Sequence, residues 1–154
     1  MYFTGDKKVF MIPVKLKVKE GARVPDYQSN GAAGADLYAH LESPLVIEKG
    51  KTVLVPTGIF IELPEGYEAQ IRPRSGLALK HGLTLLNSPG TIDWDYRGEI
   101  KVIVTNLGES DFVVENGMRI AQIIFSRVYK GDFIVTEELM DTERGHGGFG
   151  HTGI

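Results

Sequence analysis

Residues 44–71 read PLVIEKGKTVLVPTGIFIELPEGYEAQI, and their punctuation decides the fold class. Four short apolar runs, Leu45–Ile47, Thr52–Val55, Ile59–Leu63 and Tyr67–Ile71, are each closed by a turn signal: Pro44, Gly50, Pro56-Thr57-Gly58 and Pro64-Glu65-Gly66. Short strand-like runs at regular spacing, cut by Pro and Gly, predict an all-β sandwich or barrel. Upstream, Val14–Lys19 alternates apolar and charged residues as a half-buried strand does. A glycine-punctuated loop over 21–34 follows, and Ala35–Ala39 returns to alternation with Asp36 in the same period as Tyr38. Downstream, Ile100–Val104, Phe112–Val114, Arg119–Val128 and Phe133–Thr136 are strand-like in composition. One segment departs from the pattern. Ser75-Gly76-Leu77-Ala78-Leu79-Lys80-His81-Gly82 offers a capping serine, good helix formers and a terminating glycine, and predicts one short helix.

A chain of 154 residues suits one domain, here 1–154, and can bury a sizeable core. Net charge is −3, with Lys and Arg dispersed rather than clustered, which argues against a nucleic-acid footprint. No cysteine is present, so disulfides, thiolate metal sites and cysteine nucleophiles are excluded. A reducing compartment is compatible with that composition, and the expected location is the cytoplasm. The N-terminus has no unbroken apolar core of a signal peptide, and no apolar run suits a membrane span.

The chemistry concentrates in GTIDWDYRGE, residues 90–99, which brings two carboxylates, an aromatic and an arginine between two glycines. Preceded by the turn cluster Asn87-Ser88-Pro89, it predicts Asp93 and Tyr96 at the tip of a β-hairpin or bent strand pair held by a rigid sheet. Arg72-Pro73-Arg74-Ser75-Gly76 leads into the short helix, placing Arg74 and the Ser75 hydroxyl where backbone donors favour a phosphate. Gly117–Gln122 sets Arg119 and Gln122 at a strand start, and a structural carboxylate is the expected partner of Arg119. The tail 141–154, DTERGHGGFGHTGI, is too rich in glycine to bury itself. It nevertheless carries Arg144 and Phe149, a cation and an aromatic suited to folding over a flat anionic ligand. The four histidines show no zinc-ligand spacing, and Ser75 has no histidine nearby for a hydrolase triad.

Taken in order, these segments resemble the trimeric dUTPase family (deoxyuridine triphosphate nucleotidohydrolases) over nearly the whole chain. Its five motifs correspond to Ala33–Ala39, Arg72–Ala78, Asn87–Asp93 continuing through Tyr96–Glu99, Gly117–Gln122, and Arg144–Gly150 with Thr152-Gly153. The resemblance implies a jelly-roll-like β-sandwich with one short helix and a flexible glycine-rich C-terminal lid over 141–154. It also implies a homotrimer whose sites are shared between subunits. The implied reaction is Mg²⁺-dependent hydrolysis of dUTP to dUMP and pyrophosphate, limiting uracil in DNA and supplying dUMP for dTTP synthesis.

By the same resemblance, Asp93 activates water for attack at the α-phosphorus and Asp36 holds Mg²⁺ through water. Arg74, Ser75, Gly76 and Gln122 contact the phosphates. Main-chain groups of Asn87, Gly90, Thr91, Ile92, Asp93 and Lys101 read the uracil, and Tyr96 lies under the deoxyribose and rejects a 2′-hydroxyl. Phe149 stacks on the base, with Arg144 at the γ-phosphate and Gly150 beside them. His151 stands where the family usually has Ser or Thr, and Trp94 where it usually has a small residue. Three rivals are weaker. A dCTP deaminase needs an extra acid that Lys101–Val104 lacks. A nucleotide-sensing protein without catalysis has no need of Asp36, Asp93, Tyr96, Arg144 and Phe149 together. A structural β-trimer leaves the Arg-Phe tail without purpose.

Overall fold

The computed structural model describes residues 11–149. In chain order the elements are β1 (Lys15–Val18), β2 (Ala35–Tyr38), β3 (Leu45–Ile47), β4 (Thr52–Pro56), β5 (Ile59–Glu62) and β6 (Tyr67–Arg72). There follow α1 (Ser75–His81), β7 (Leu83–Leu85), β8 (Gly90–Ile92), β9 (Lys101–Asn106), β10 (Phe112–Val114) and β11 (Arg119–Arg127). They form a four-stranded sheet in the order β2-β11-β6-β8, a three-stranded sheet β4-β9-β7, and the pairs β1-β5 and β3-β10. Every pairing is antiparallel. The turns predicted within 44–71 bound β3 to β6 closely, because Gly50, Gly58 and Gly66 all adopt positive φ, a region that costs glycine little.

The core follows the two-residue period of the strands. Ile59 and Ile61 of β5, Ala69 and Ile71 of β6, Val102 and Val104 of β9, and Ile123 of β11 are buried and join one apolar cluster across the sheets. A polar knot sits within it. Asn106 is fully buried; its Nδ2 donates to the carbonyls of Ile47 and Ser110, each at 2.9 Å, and its Oδ1 accepts the Gly108 N–H at 2.9 Å. One side chain thereby satisfies three main-chain groups whose desolvation would otherwise go uncompensated.

Five expectations change. Residues 90–92 and 101–106 do not pair as a hairpin. β8 bonds to β6 and β9 to β4 and β7, so residues 93–100 cross from one sheet to another. Val14–Lys19 was expected to be half-buried, yet all four residues of β1 are exposed, Leu16 and Val18 marginally so at 40% and 37%, since among the described strands β1 pairs with β5 alone. Phe133–Thr136 is not a strand; Phe133 and Val135 are 95% and 97% exposed, with no neighbouring strand to bond. Leu83–Leu85 forms a strand, β7, that its short run did not announce. Finally, Ser75 does not cap the helix. The Arg74 carbonyl already accepts the N–H groups of Leu77 and Ala78 at 3.1 and 3.0 Å, so Arg74 holds the cap position, without a side-chain cap bond. At the other end Gly82 closes α1 as expected, with φ 66° and its N–H on Ala78 O.

Candidate functional site

The sheet β2-β11-β6 brings one group of candidate residues into a row. Gln122 lies opposite Asp36 on one side and Arg72 on the other. Asp36 is only 7% exposed, a costly position for a carboxylate unless it is paired. Two arginines pair it. Arg74 Nε donates to Oδ1 at 2.9 Å and Arg119 Nη1 to Oδ2 at 3.1 Å. Arg119 therefore has the structural carboxylate expected of it, and the same nitrogen reaches Gln28 Oε1 at 3.0 Å. Arg74 Nη1 also donates to the Arg119 carbonyl at 3.1 Å. Gln122 Nε2 donates to the Pro73 carbonyl at 2.9 Å, bracing the turn that carries Arg74, Ser75 and Gly76. Gly34 makes room for that brace: a Cβ there would sit 3.2 Å from Gln122 Cβ and Cδ and collide with Oε1.

A second group lies along the crossover between sheets. Gly90 is opposite Ile71, and Thr91 opposite Gln70; Asn87 Nδ2 lies beside Gly90, within 3.0 Å of where a Cβ would be. Beyond β8, Asp93 and Tyr96 are exposed, and the Tyr96 N–H donates to the Asp93 carbonyl at 3.1 Å, closing the turn. Arg97 donates to the carbonyls of Trp94 and Tyr96, at 2.7 and 3.0 Å, and stiffens the same turn. A cleft of about 360 Å³ opens beside it, lined by Leu54, Ile92, Tyr96, Glu99, Lys101 and Ile103. Its walls mix the apolar Leu54, Ile92 and Ile103 with Tyr96, Glu99 and Lys101, apolar surface with a few polar groups, a setting suited to a flat polar-edged base.

The third group is in the tail. Arg144 Nε donates to the Gly147 carbonyl at 2.7 Å, and Phe149 is fully exposed with φ 51°. Gly150 and His151 lie outside the described residues. The Asp36 row and the start of the crossover share one sheet, since β8 pairs with β6 beside Arg72, whereas no hydrogen bond links the tail to either among the described residues. One sheet thus carries two pieces of a site, and the tail makes no hydrogen bond to them among the described residues. Sequence reasoning missed Glu99 and Lys19. The Glu99 carboxylate lies under the cleft, accepting Gly58 N–H at 2.9 Å and Lys19 Nζ at 2.8 Å. Burial pushes its pKa up, but the hydrogen bonds from Lys19 and Gly58 and the charges of Lys19 and Lys101 outweigh this and hold it below the ordinary value.

The donor set around Asp36 bears on a metal. No group of three or more acidic or histidine ligands occurs among the described residues, so an all-protein cage is absent there. Each Asp36 oxygen spends one acceptor site on an arginine and retains another. That suits a hydrated Mg²⁺ held through water and mainly by ligand phosphates, and not direct coordination by several carboxylates.

Comparison with known proteins identifies the family. The family model for dUTPase matches residues 20–153. The deoxyuridine 5'-triphosphate nucleotidohydrolase of Chlamydia pneumoniae is 58% identical over 141 residues, covering 91% of this chain and 97% of that protein. Its counterpart from Treponema denticola is 55% identical over 141 residues, covering 92% and 98%. In three dimensions the chain is similar to the dUTPase of Staphylococcus bacteriophage 80alpha solved with dUpNHpp. The TM-score is 0.84 at 24% identity, covering 92% of this chain and 99% of that one. The phage likeness speaks for the fold, and the family model and the bacterial relatives for descent: this chain belongs to the dUTPase family.

Proposed function

We propose that the protein hydrolyses dUTP to dUMP and pyrophosphate. The observation that carries this reading is the cleft at the crossover: in a chain of this family, Ile92, Tyr96 and Lys101 line a base-sized space beside the exposed Asp93. A strand edge presents N–H and C=O groups at fixed spacing, so the main chain of Gly90, Thr91, Ile92 and Lys101, with Asn87, can pair with a uracil edge. The Tyr96 ring lies under the deoxyribose, where a 2′-hydroxyl would collide. Asp93 takes a proton from water as the water oxygen bonds to the α-phosphorus; the bond from that phosphorus to the bridging oxygen breaks, and pyrophosphate leaves with the electron pair.

Arg74, Ser75, Gly76 and Gln122 meet the phosphates, and their contribution is positioning and charge stabilisation. Mg²⁺, when bound, would neutralise triphosphate charge, and Asp36 would hold it through water. Arg74 is presented by the Asp36 carboxylate with Nη2 left to donate outward. Arg144 and Phe149, with Gly150, close over the substrate and exclude bulk water.

We further propose that 1–154 is one domain, that 141–154 acts as its lid, and that the working unit is a homotrimer with shared sites. Two features support the trimer. The tail makes no hydrogen bond to the sheet-borne site residues within the described chain. The arm after β11 also exposes Tyr129, Phe133, Ile134, Val135, Leu139 and Met140, each more than 80% exposed, an apolar strip that a second copy can cover. No helix among the described residues is long and apolar enough to cross a membrane, and we place the reaction in the cytoplasm.

The test is pyrophosphate release with Mg²⁺ from dUTP, dTTP, dCTP and UTP in parallel, with the Asp93→Asn variant alongside. Release from dUTP alone, falling about 10²–10⁴-fold in the variant, is the expected outcome. Binding of dUTP without pyrophosphate release would make the protein a sensor, and consumption of dCTP would make it a deaminase-like relative.

A further inference from the structure

The cleft at the crossover rests on a closed ring of three residues from three separate segments. Lys19 N–H donates to the Gly58 carbonyl at 2.9 Å. Gly58 N–H donates to Glu99 Oε1 at 2.9 Å. Lys19 Nζ returns to Glu99 Oε2 at 2.8 Å. Gly58 can serve as the hub because it has φ 70° and sits against Ala22 and the His40 ring, where a Cβ would collide. The same turn grips the next residue: Ile100 N–H donates to the Ile59 carbonyl at 2.8 Å, and Thr57 Oγ1 donates to the Ile100 carbonyl at 2.6 Å. The Glu99 side chain is only 10% exposed, so both of its charge-assisted bonds are partly shielded from water and worth more than a surface pair.

What this ring holds is the acceptor of the Tyr96 phenol. Tyr96 Oη donates to the Glu99 carbonyl at 3.2 Å. The ring folds back over Gly98, where a Cβ would lie 2.8 Å from Tyr96 Cε2 and closer still to the phenol oxygen. Among the described residues the phenol's hydrogen-bond partner is that carbonyl, which belongs to the residue whose side chain closes the Lys19–Gly58–Glu99 ring. A tyrosine on an exposed turn would otherwise move among rotamers.

We propose that Glu99, supported by Lys19, is a positioning residue that sets sugar selectivity by fixing the Tyr96 ring at the wall of the cleft. The assignment rests on the dUTP reading above and adds to it a determinant at the floor of the same cleft that acts through Tyr96. Glu99 touches no reacting atom; it acts through the peptide that Tyr96 is bound to. Discrimination by a wall demands that the wall be held, since a displacement of order 1 Å relieves the collision with a 2′-hydroxyl.

The experiment measures kcat/KM for dUTP and for UTP in the wild type, Glu99→Gln, Lys19→Met and Lys19→Arg, with thermal midpoints recorded for each. Glu99→Gln keeps an acceptor for Gly58 and removes the charge that holds Lys19. The expected result is a dUTP-to-UTP preference reduced about tenfold in Glu99→Gln, reduced less in Lys19→Met, and largely restored in Lys19→Arg. A lowered midpoint with the preference unchanged would reduce Glu99 to a structural brace and overturn the assignment. Should Glu99→Gln fail to fold, the contrast between Lys19→Met and Lys19→Arg decides: equal preferences overturn it, and a loss in the methionine variant alone supports it. A wild type that hydrolyses neither nucleotide overturns the dUTP reading itself, whereas one active on dUTP with an unshifted preference in the variants overturns only the role of Glu99.

Discussion

The Asp36 row and the tail carry the same kind of cation in opposite circumstances. Arg74 and Arg119 are held on a buried carboxylate by bonds of 2.9 and 3.1 Å, across strands paired along their length. Among the described residues, Arg144 is held by the carbonyl of Gly147, three residues away, in a largely exposed segment. The first arrangement spends its ordering entropy at folding, so a phosphate meets donors already in place. The second leaves that cost to be met when a ligand or a neighbouring chain arrives. A site assembled from both parts gains a fixed floor and a movable cover.

The sharpest way to break this contrast is to remove residues 141–154. Pyrophosphate release is expected to fall about 10²-fold, with the thermal midpoint unchanged, because the cover contributes to alignment and not to the core. Asp36→Asn should do the reverse in kind. It strands two guanidinium groups beside a neutral amide, and denaturant titration should register about 2 kcal/mol of lost stability along with weaker catalysis. Next comes the arm. If it is covered by another copy, Val135→Ala should cost about 1.5 kcal/mol of association per chain, read by sedimentation as a shift toward smaller species on dilution. An unchanged mass distribution would leave the arm without the role given to it.

The smallest effect is one of pH. Glu99 has a folded pKa held below its ordinary 4.5. A depressed carboxylate stabilises the fold above its unfolded value, and this contribution is lost as pH falls through the folded one. Denaturation midpoints should therefore decline below about pH 4.5, with a shallower slope in Glu99→Gln.

Much of this was legible in the chain. The strands of 45–47 and 112–114 begin and end where their apolar runs do, each run being flanked by a proline or by charged residues. Gly82 announced the end of the helix. Pairing was the harder quantity. Residues 90–104 look like a hairpin because alternation reports a strand's faces and says nothing of its neighbours, and here β8 and β9 joined different sheets. Phe133–Thr136 has strand chemistry without a strand for the same reason: a ladder needs a partner, and the described chain provides none there. The pairing of Arg119 with a carboxylate was foreseeable from charge, but which carboxylate depended on the juxtaposition of β2 and β11. The Lys19–Gly58–Glu99 ring joins positions 80 residues apart, beyond the reach of any local pattern.

The place of β11 has a consequence for how the chain is made. It is the last strand in sequence, yet it lies between β2 and β6 in the four-stranded sheet. A nascent chain carries β2 and β6 with open edges until residues 119–127 emerge, so the sheet cannot close progressively behind the ribosome. Folding must wait for nearly the whole strand set and then form contacts of high sequence separation, a slow step with aggregation-prone edges exposed. The strand that aligns Gln122 with Asp36 and Arg72 is thus also the one that joins β2 to β6, and a chain interrupted before it lacks the complete four-stranded sheet and the Asp36 row.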